Sequence, residues 1–199
     1  MFVRRSIPVL LCAYVLAMSG CTTDSNPLGP LVYTQQVSGN ISTILWPAGA
    51  ARSSLTDTYA PDFRWRRADS TLDSLSNHHG QVVLVNFWAT WCEYCKAEMP
   101  AIQSAVNQMG DTLFVIGVSV DDPGNPFTAA QSYVKSNGYT YQFAVDSNWT
   151  LYEKYFPNQG GSIPQSCFID RSGKLIYTVT GEMPNEQYIL SMARKVETE

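Results

Sequence analysis

Apolar residues occur along this chain in runs of strand length that alternate with stretches of helical character. The longest run, 81–88, is apolar at nearly every position, which is typical of a strand buried on both faces of a sheet. Further strands are predicted at 113–119, 141–145, 166–170 and 174–180. Helices are predicted at 92–109, 127–137, 148–155 and 185–196.

The order of these elements predicts how the strands pair. Alternation of strands and helices favours parallel pairing, whereas Arg171-Ser172-Gly173 joins the last two strands as a hairpin. Pro100 lacks a backbone N–H and predicts a bend in the first helix. We therefore expect an α/β, thioredoxin-like fold: a mixed central sheet with helices on both faces and a C-terminal antiparallel hairpin.

The first 20 residues have the features of an export signal. Arg4 and Arg5 precede a short apolar run, 7–18, which ends in small residues and is shorter than the roughly 20 residues of a membrane-spanning helix. Met18-Ser19-Gly20-Cys21 resembles the lipobox of bacterial lipoproteins, with Met18 in place of the usual Leu. The resemblance implies lipidation of Cys21 and a membrane anchor. The alternative is an ordinary cleaved signal with an incidental cysteine.

Composition divides the rest of the chain into a tether and a domain. Residues 21–59 are rich in Ser, Thr, Gly, Pro and Asn and lack sustained periodicity, which indicates a lipid-anchored tether. In the alternative, 31–37 and 41–46 form a hairpin packed on the domain. Residues 60–199 are expected to form one globular domain.

Charge and cysteine spacing exclude several classes of function. The net charge of −4 would become about −6 without the leader, which holds two arginines and no acid, and no basic cluster for nucleic acid is present. No metal site is expected, because the only histidines, His78 and His79, are adjacent and are interpreted as surface loop residues. No cofactor is expected either. Cys167 lies in a predicted strand and is interpreted as a small buried hydrophobe, the alternative being a regulatory thiol.

Cys92 and Cys95 form a Cys-x-x-Cys pair directly after a buried strand and at the start of a helix, which indicates a redox pair. Helix N-terminal N–H groups favour a thiolate, so Cys92 is the expected nucleophile. Cys95, one turn further in, is the expected resolving thiol. The alternative is an inert structural disulfide.

Residues 83–100 (VLVNFWATWCEYCKAEMP) closely resemble the TlpA/ResA-like thioredoxins of bacterial envelopes. Ala60-Pro61-Asp62-Phe63 is similar to the entry segment of that family. Ser162-Ile163-Pro164, followed by the segment 168–174 (FIDRSGK), is similar to its second hallmark. The resemblance covers about residues 60–192.

This resemblance implies further site residues. Pro164 would be cis and face the cysteines, and the Ile163 backbone would bind an extended substrate, unless Pro164 is a plain trans turn proline. Independently of the resemblance, the position of Trp91 beside the nucleophile predicts that it lines the partner-docking surface. Cytoplasmic thioredoxins have a buried Asp where this chain has Asn86, and Glu98, an acidic position of the family, is the candidate substitute in proton transfer. The alternative for Glu98 is an exposed carboxylate without a catalytic part.

The sequence thus predicts an extracytoplasmic, lipid-anchored thiol–disulfide oxidoreductase that reduces disulfides in envelope proteins. Glu93 and Glu98 add negative charge near the pair, which favours a reductant. The resemblance implies a membrane thiol-transfer protein as electron donor and apocytochrome c as one substrate class. Alternatives are a disulfide-donating oxidase and a non-catalytic binding or metal-carrier module; a peroxiredoxin would need its cysteine in a different local setting.

Overall fold

Eight strands and four α-helices are present in the residues that the computed structural model describes, which are 41–45, 59–67, 69–121 and 126–198. The strands are β1 (Ile41–Leu45), β2 (Arg64–Arg66), β3 (Leu72–Ser74), β4 (Val82–Trp88), β5 (Leu113–Ser119), β6 (Gln142–Val145), β7 (Gln165–Ile169) and β8 (Leu175–Thr180). The helices are α1 (Glu93–Met109), α2 (Pro126–Asn137), α3 (Thr150–Tyr155) and α4 (Glu186–Glu197). Every element predicted from the apolar pattern is present, with ends that differ by no more than about two residues.

The strands form one mixed sheet in the order β3-β2-β1-β6-β5-β4-β7-β8. The pairs β1–β6, β6–β5 and β5–β4 in the middle of the sheet are parallel. Antiparallel strands flank them, β2 and β3 at one edge and the β7–β8 hairpin at the other. The predicted mixed sheet and its C-terminal hairpin are confirmed.

Helices cover both faces of the sheet, and two consecutive residues of β4 demonstrate this. Neighbouring side chains on a strand point to opposite faces. Asn86 bonds to Glu98 of α1, whereas Phe87 packs its ring against Tyr152 and Tyr155 of α3. Helices α1 and α3 therefore lie on opposite faces, and β4 is buried throughout.

Helix α1 begins where Cys92 caps it, because the Cys92 sulfur accepts a hydrogen bond from the backbone N–H of Cys95. Its buried side recurs at helical spacing, through Cys95, Glu98, Met99, Ile102 and Ala105. Pro100 lies inside the helix on its exposed side, and the helix continues through it.

Two strands, β2 and β3, were not predicted, and β1 was predicted only in the alternative in which 41–46 forms part of a hairpin. β2 and β3 have three residues each, too few for a periodic pattern. β1 falls in the predicted tether, yet pairs with β2 and β6. The residues 31–37, the leader and Cys21 lie outside the described residues, and the division into leader, tether and domain remains a prediction. Among the described helices, none combines the length and apolar character that a membrane span requires.

Candidate active site

Cys92 lies in the turn between β4 and α1, at the carboxyl end of the parallel strands, and Cys95 lies in the first turn of α1. Their sulfurs are joined in a disulfide, with the Cα atoms 5.3 Å apart. Cys92 keeps 7% of its surface exposed, whereas Cys95 has none. A partner sulfur can therefore reach Cys92 and not Cys95.

Two backbone groups face the Cys92 sulfur. The Cys95 N–H donates to it at 3.2 Å, and the Ile163 carbonyl oxygen lies 3.8 Å away. In the disulfide the sulfur carries no proton, so the second approach is a contact that a reduced thiol could convert into a hydrogen bond. After reduction, the N–H at the helix start would favour the thiolate form of Cys92.

The peptide bond between Ile163 and Pro164 is cis, as the resemblance implied. Pro164 is buried and its carbonyl accepts a hydrogen bond from the Gly181 N–H, while Ile163 is half-buried. Among the described residues, none accepts a hydrogen bond from the Ile163 N–H. The Ile163 backbone thus presents an available donor beside the reactive sulfur.

Glu98 is buried on the same side of α1 as Cys95, with 1% of its surface exposed, so the alternative of an exposed carboxylate is wrong. Its carboxylate accepts hydrogen bonds from Asn86 Nδ2 at 2.6 Å and from the Met183 N–H at 2.7 Å. Burial raises the pKa of Glu98 to about 7, although these two bonds lower it in part and the charge of Glu182 raises it further. Glu98 can therefore gain or lose a proton near neutral pH.

Asn86 of β4 links Glu98 to the neighbouring strand β7. Its Nδ2 also donates to Ser166 Oγ at 3.0 Å. Its carbonyl oxygen Oδ1 is buried and has no hydrogen-bond partner in the described structure. A buried acceptor without a hydrogen bond costs free energy. Rotation of this amide therefore becomes favourable when a donor becomes available next to it.

The turn before Cys92 is held by Asp121, a buried residue that follows β5. Its carboxylate accepts hydrogen bonds from the backbone N–H and the hydroxyl of Thr90, at 3.1 and 2.7 Å, and from Ser119 Oγ at 2.6 Å. Thr90 lies two residues before Cys92. Asp121 thereby connects the reactive turn to the end of the neighbouring parallel strand.

The rim of the site is aromatic. Trp91 and Tyr94 are 61% and 69% exposed, although both side chains are large and apolar. Glu93 lies between them and pairs with Lys96 at 2.6 Å on the surface. Exposed aromatic residues next to a reactive group are suited to contact a partner protein.

Two other residues singled out in the sequence lie away from this site. Cys167 is fully buried in β7, and burial raises its thiol pKa well above the ordinary value. The interpretation of His78 as a surface residue is wrong: it is 8% exposed, stacks on Phe114, and bonds to Asp73. The rings of Trp65 and Phe114 pack against His78 and bury a residue that the polar sequence around it placed outside. His79 is exposed.

The structure brings together Cys92, Cys95, Trp91, Ile163 and Pro164, and places Glu98 three positions after Cys95 on the buried side of α1. Sequence reasoning missed Asp121 and the Met183 N–H. Asp121 had a signal, since a polar residue directly after a buried parallel strand lies at the edge where such sites form. Among the described residues, no group of three or more His, Cys, Asp or Glu side chains is arranged to hold a metal ion.

Residues 56–178 of the chain match the sequence model of the AhpC/TSA family. "Thiol-disulfide oxidoreductase ResA" of Geobacillus kaustophilus is 27% identical over 130 residues, which cover 64% of this chain and 70% of that protein. "Sporulation thiol-disulfide oxidoreductase A" of Bacillus subtilis is 25% identical over 148 residues, 74% of this chain and 88% of that protein. The solved structure of an exposed lipoprotein thioredoxin from Streptococcus pneumoniae superposes with a TM-score of 0.57 at 29% identity, covering 68% of this chain and 99% of that one.

Proposed function

Because the chain belongs to the AhpC/TSA family and is a thiol–disulfide oxidoreductase of thioredoxin-like fold, we propose that it reduces disulfides in partner proteins outside the cytoplasm. The observation that carries this proposal is the asymmetry of the cysteine pair. Cys92 is partly open to solvent next to a backbone that can receive a partner, while Cys95 is closed off behind it.

The reaction proceeds in two exchanges. The Cys92 thiolate attacks one sulfur of the partner disulfide, which forms a mixed disulfide and releases the other partner sulfur as a thiolate. Cys95 then loses its proton and attacks the Cys92 sulfur, which releases the second partner thiolate and leaves the Cys92–Cys95 disulfide. Two electrons pass to the partner, whose two thiolates take up protons from the site and from water.

Glu98 is the proposed acceptor of the Cys95 proton. The two residues lie three positions apart on the buried side of α1, and Glu98 has a pKa of about 7. A carboxylate with that pKa is half ionised at neutral pH, which suits a group that must both take and return a proton. Asn86 and the Met183 N–H hold its carboxylate in place.

Partner binding is proposed to use the aromatic rim and the Ile163 backbone. An extended segment next to the partner disulfide would pair with the available Ile163 N–H. Trp91 and Tyr94 would pack against apolar residues beside it. Both contacts lie next to Cys92, so they would orient the partner sulfur for in-line attack.

Negative charge near the cysteines supports the reducing direction. Glu93 lies between the cysteines, and Glu98 lies on the same side of α1 as Cys95. Negative charge disfavours a thiolate and thereby opposes the strongly oxidising behaviour of low-pKa cysteine pairs. A disulfide-donating oxidase would run the same exchanges in reverse, and the measured redox potential separates the two.

Localisation and electron supply complete the proposal. The leader and the lipobox-like segment at Cys21 support export and attachment to a membrane through lipid. The oxidised pair would be reduced again by a membrane thiol-transfer protein, and apocytochrome c is one candidate substrate class. These assignments rest on the sequence resemblance.

The experiment that tests the function is trapping of the mixed disulfide. A Cys95→Ser variant, expressed in the native cell, cannot resolve the intermediate, so partners should remain bound to Cys92 and be released by a reducing agent. The Cys92→Ser/Cys95→Ser variant should trap nothing, and Cys167→Ser should leave trapping unchanged because Cys167 is buried. Absence of Cys92-dependent complexes, together with unchanged physiological activity of Cys92→Ser, would favour a non-catalytic binding module.

A further inference from the structure

The backbone of Ile163 and Pro164 is held from both sides by one side chain, Tyr152 of α3. The Tyr152 hydroxyl donates a hydrogen bond of 2.8 Å to the carbonyl of Ser162, the residue before Ile163. The same hydroxyl accepts a bond of 3.3 Å from Nε2 of Gln165, the residue after Pro164. One phenol oxygen therefore connects the two ends of the segment that faces Cys92.

Gln165 is in turn fixed to the outer strand. It is fully buried, and its Oε1 accepts a hydrogen bond of 3.2 Å from Thr180 Oγ1 of β8. Its backbone pairs with Phe87 of β4 and with Thr180. The C-terminal end of the segment thus belongs to the rigid sheet.

The N-terminal end depends more strongly on α3. The loop before Ser162 contains Asn158, Gly160 and Gly161, all with positive φ, and the ring of Trp149 covers Gly161 so closely that a Cβ there would lie 3.3 Å from it. Within this loop, the backbone bonds Gln159 N to Phe156 O and Ser162 N to Gln159 O are long, at 3.4 Å each. The shorter bond from Tyr152 therefore fixes where the loop ends.

Tyr152 is itself well placed to act as a support. Only 2% of it is exposed, its ring packs on Phe87 and Phe156, and its backbone N–H donates to the buried carboxylate of Asp146 at 2.9 Å. Burial raises the pKa of the Tyr152 phenol, so the hydroxyl keeps the proton that it donates to Ser162. Ring, backbone and hydroxyl are all immobilised.

We infer that Tyr152 is a positioning residue, which holds the Ile163 backbone against Cys92 so that a bound partner segment and the reactive sulfur are in register. The inference rests on the proposed function, because it assumes that the partner pairs with Ile163. It predicts that the Tyr152 hydroxyl contributes to partner binding, although it touches neither the partner nor the sulfurs.

Tyr155 provides a matched control on the same helix. It is 1% exposed, packs on the same Phe87 ring, and its hydroxyl donates at 2.8 Å to a backbone carbonyl, that of Pro61. Pro61 lies in the entry segment and not beside Cys92. Tyr152→Phe and Tyr155→Phe therefore each remove one buried hydroxyl of the same kind, and only the first releases the Ile163 segment.

The test uses the reduced protein and a synthetic peptide with an intramolecular disulfide flanked by extended apolar residues. Single-turnover oxidation is followed over a range of peptide concentrations, and the rate of Cys92 alkylation by iodoacetamide is measured in parallel. Tyr152→Phe should raise the half-saturating peptide concentration by about three- to tenfold, with tenfold corresponding to about 1.4 kcal/mol. Its limiting rate and its alkylation rate should stay near wild type, and Tyr155→Phe should change none of these.

The outcomes separate this inference from the proposed function. If wild-type protein does not oxidise with the peptide at all, the proposed function fails. If wild type reacts and Tyr152→Phe has unchanged half-saturation, or if Tyr155→Phe shifts it equally, the positioning role is overturned. Gln165→Met removes the weaker bond to Tyr152 together with the bond from Thr180 and should give a smaller rise, whereas Thr180→Val, which removes the Thr180 bond alone, should give none. This pair keeps the test decisive if Tyr152→Phe folds poorly.

Discussion

Asn86 on the central strand donates a hydrogen bond of 2.6 Å to the Glu98 carboxylate on the helix that carries the cysteines. The amide offers a fixed donor to the carboxylate, and its own Oδ1 remains without a partner. Protonation of Glu98 would supply that missing donor if the amide rotates. This pair can therefore adapt to both protonation states of Glu98, and the first two predictions follow from it.

The first prediction concerns the rate of exchange. Glu98 has a pKa of about 7 and acts as a base when ionised, so its contribution should appear as pH rises through about 7. Glu98→Gln should slow the resolving step by about 10²-fold above that pH and remove the corresponding break in the pH profile. Stopped-flow tryptophan fluorescence during oxidation by a peptide disulfide measures both.

Glu93→Gln is the matched control for this rate effect. Glu93 lies on the same helix, but it is exposed and paired with Lys96. The break near pH 7 should persist in this variant. Its disappearance in Glu93→Gln, or its survival in Glu98→Gln, would assign the proton transfer to another group.

The second prediction concerns stability. Burial raises the pKa of Glu98 from 4.5 to about 7, so between these values the folded state binds more protons than the unfolded state. The stability that this group contributes is complete below about pH 4.5 and is lost as pH rises through about 7. Glu98→Gln should abolish this loss. The free energy of unfolding of the variant minus that of wild type should therefore be higher at pH 8 than at pH 4 by about 3 kcal/mol.

Urea unfolding of both proteins at the two pH values checks this prediction. The glutamine can accept from the Met183 N–H and donate to a rotated Asn86, whose NH₂ then takes the position in which Oδ1 has no partner, so the number of unpartnered amide groups stays the same. Burial also raises the pKa of Asp146, to about 6, but Asp146 is present in both proteins and cancels in the comparison. An equal difference at both pH values would contradict the raised pKa.

The third prediction concerns Asp121. Its carboxylate accepts from three donors, and Asp121→Asn would place an NH₂ group against one of them, at a cost of about 1–3 kcal/mol. Because Thr90 leads directly into the reactive turn, the variant should also change the rate at which iodoacetamide alkylates reduced Cys92. Denaturant unfolding and alkylation kinetics measure the two effects.

Asp170→Asn serves as the control for Asp121→Asn. Asp170 also accepts from three donors, here two backbone N–H groups and one hydroxyl, which belong to Ser172 and Lys174 in the β7–β8 hairpin. This variant should lose stability but keep the alkylation rate of wild type. If both variants alter alkylation to the same extent, the effect is general loosening of the fold.

The fourth prediction concerns His78, which packs against the rings of Trp65 and Phe114 and bonds to Asp73. His78→Ala should cost about 2–3 kcal/mol, because it removes a buried ring and one partner of a buried carboxylate. The exposed neighbour His79 should tolerate alanine within about 0.5 kcal/mol. Thermal or urea unfolding distinguishes them, and equal losses would contradict the buried position of His78.

Much of the fold could be predicted because its signals are local. The uninterrupted apolar run in β4 and the helical spacing of buried residues in α1 are written in neighbouring positions. Strands of three residues, such as β2 and β3, have no such signal. The burial of His78 also lacks a local signal, because the rings that pack on it belong to Trp65 and Phe114, in other elements of the chain. The prediction of a surface position was wrong for that reason.

The sequence alone determined which sulfurs can react, because a Cys-x-x-Cys pair between a buried strand and a helix places one sulfur at the helix start and the other one turn deeper. Only the tertiary structure decided what surrounds them. The Thr90–Asp121 bond joins residues 31 positions apart, and the bond from Met183 to Glu98 joins residues 85 positions apart. Such contacts depend on which strands become neighbours in the sheet, and that order is set by packing of the whole chain.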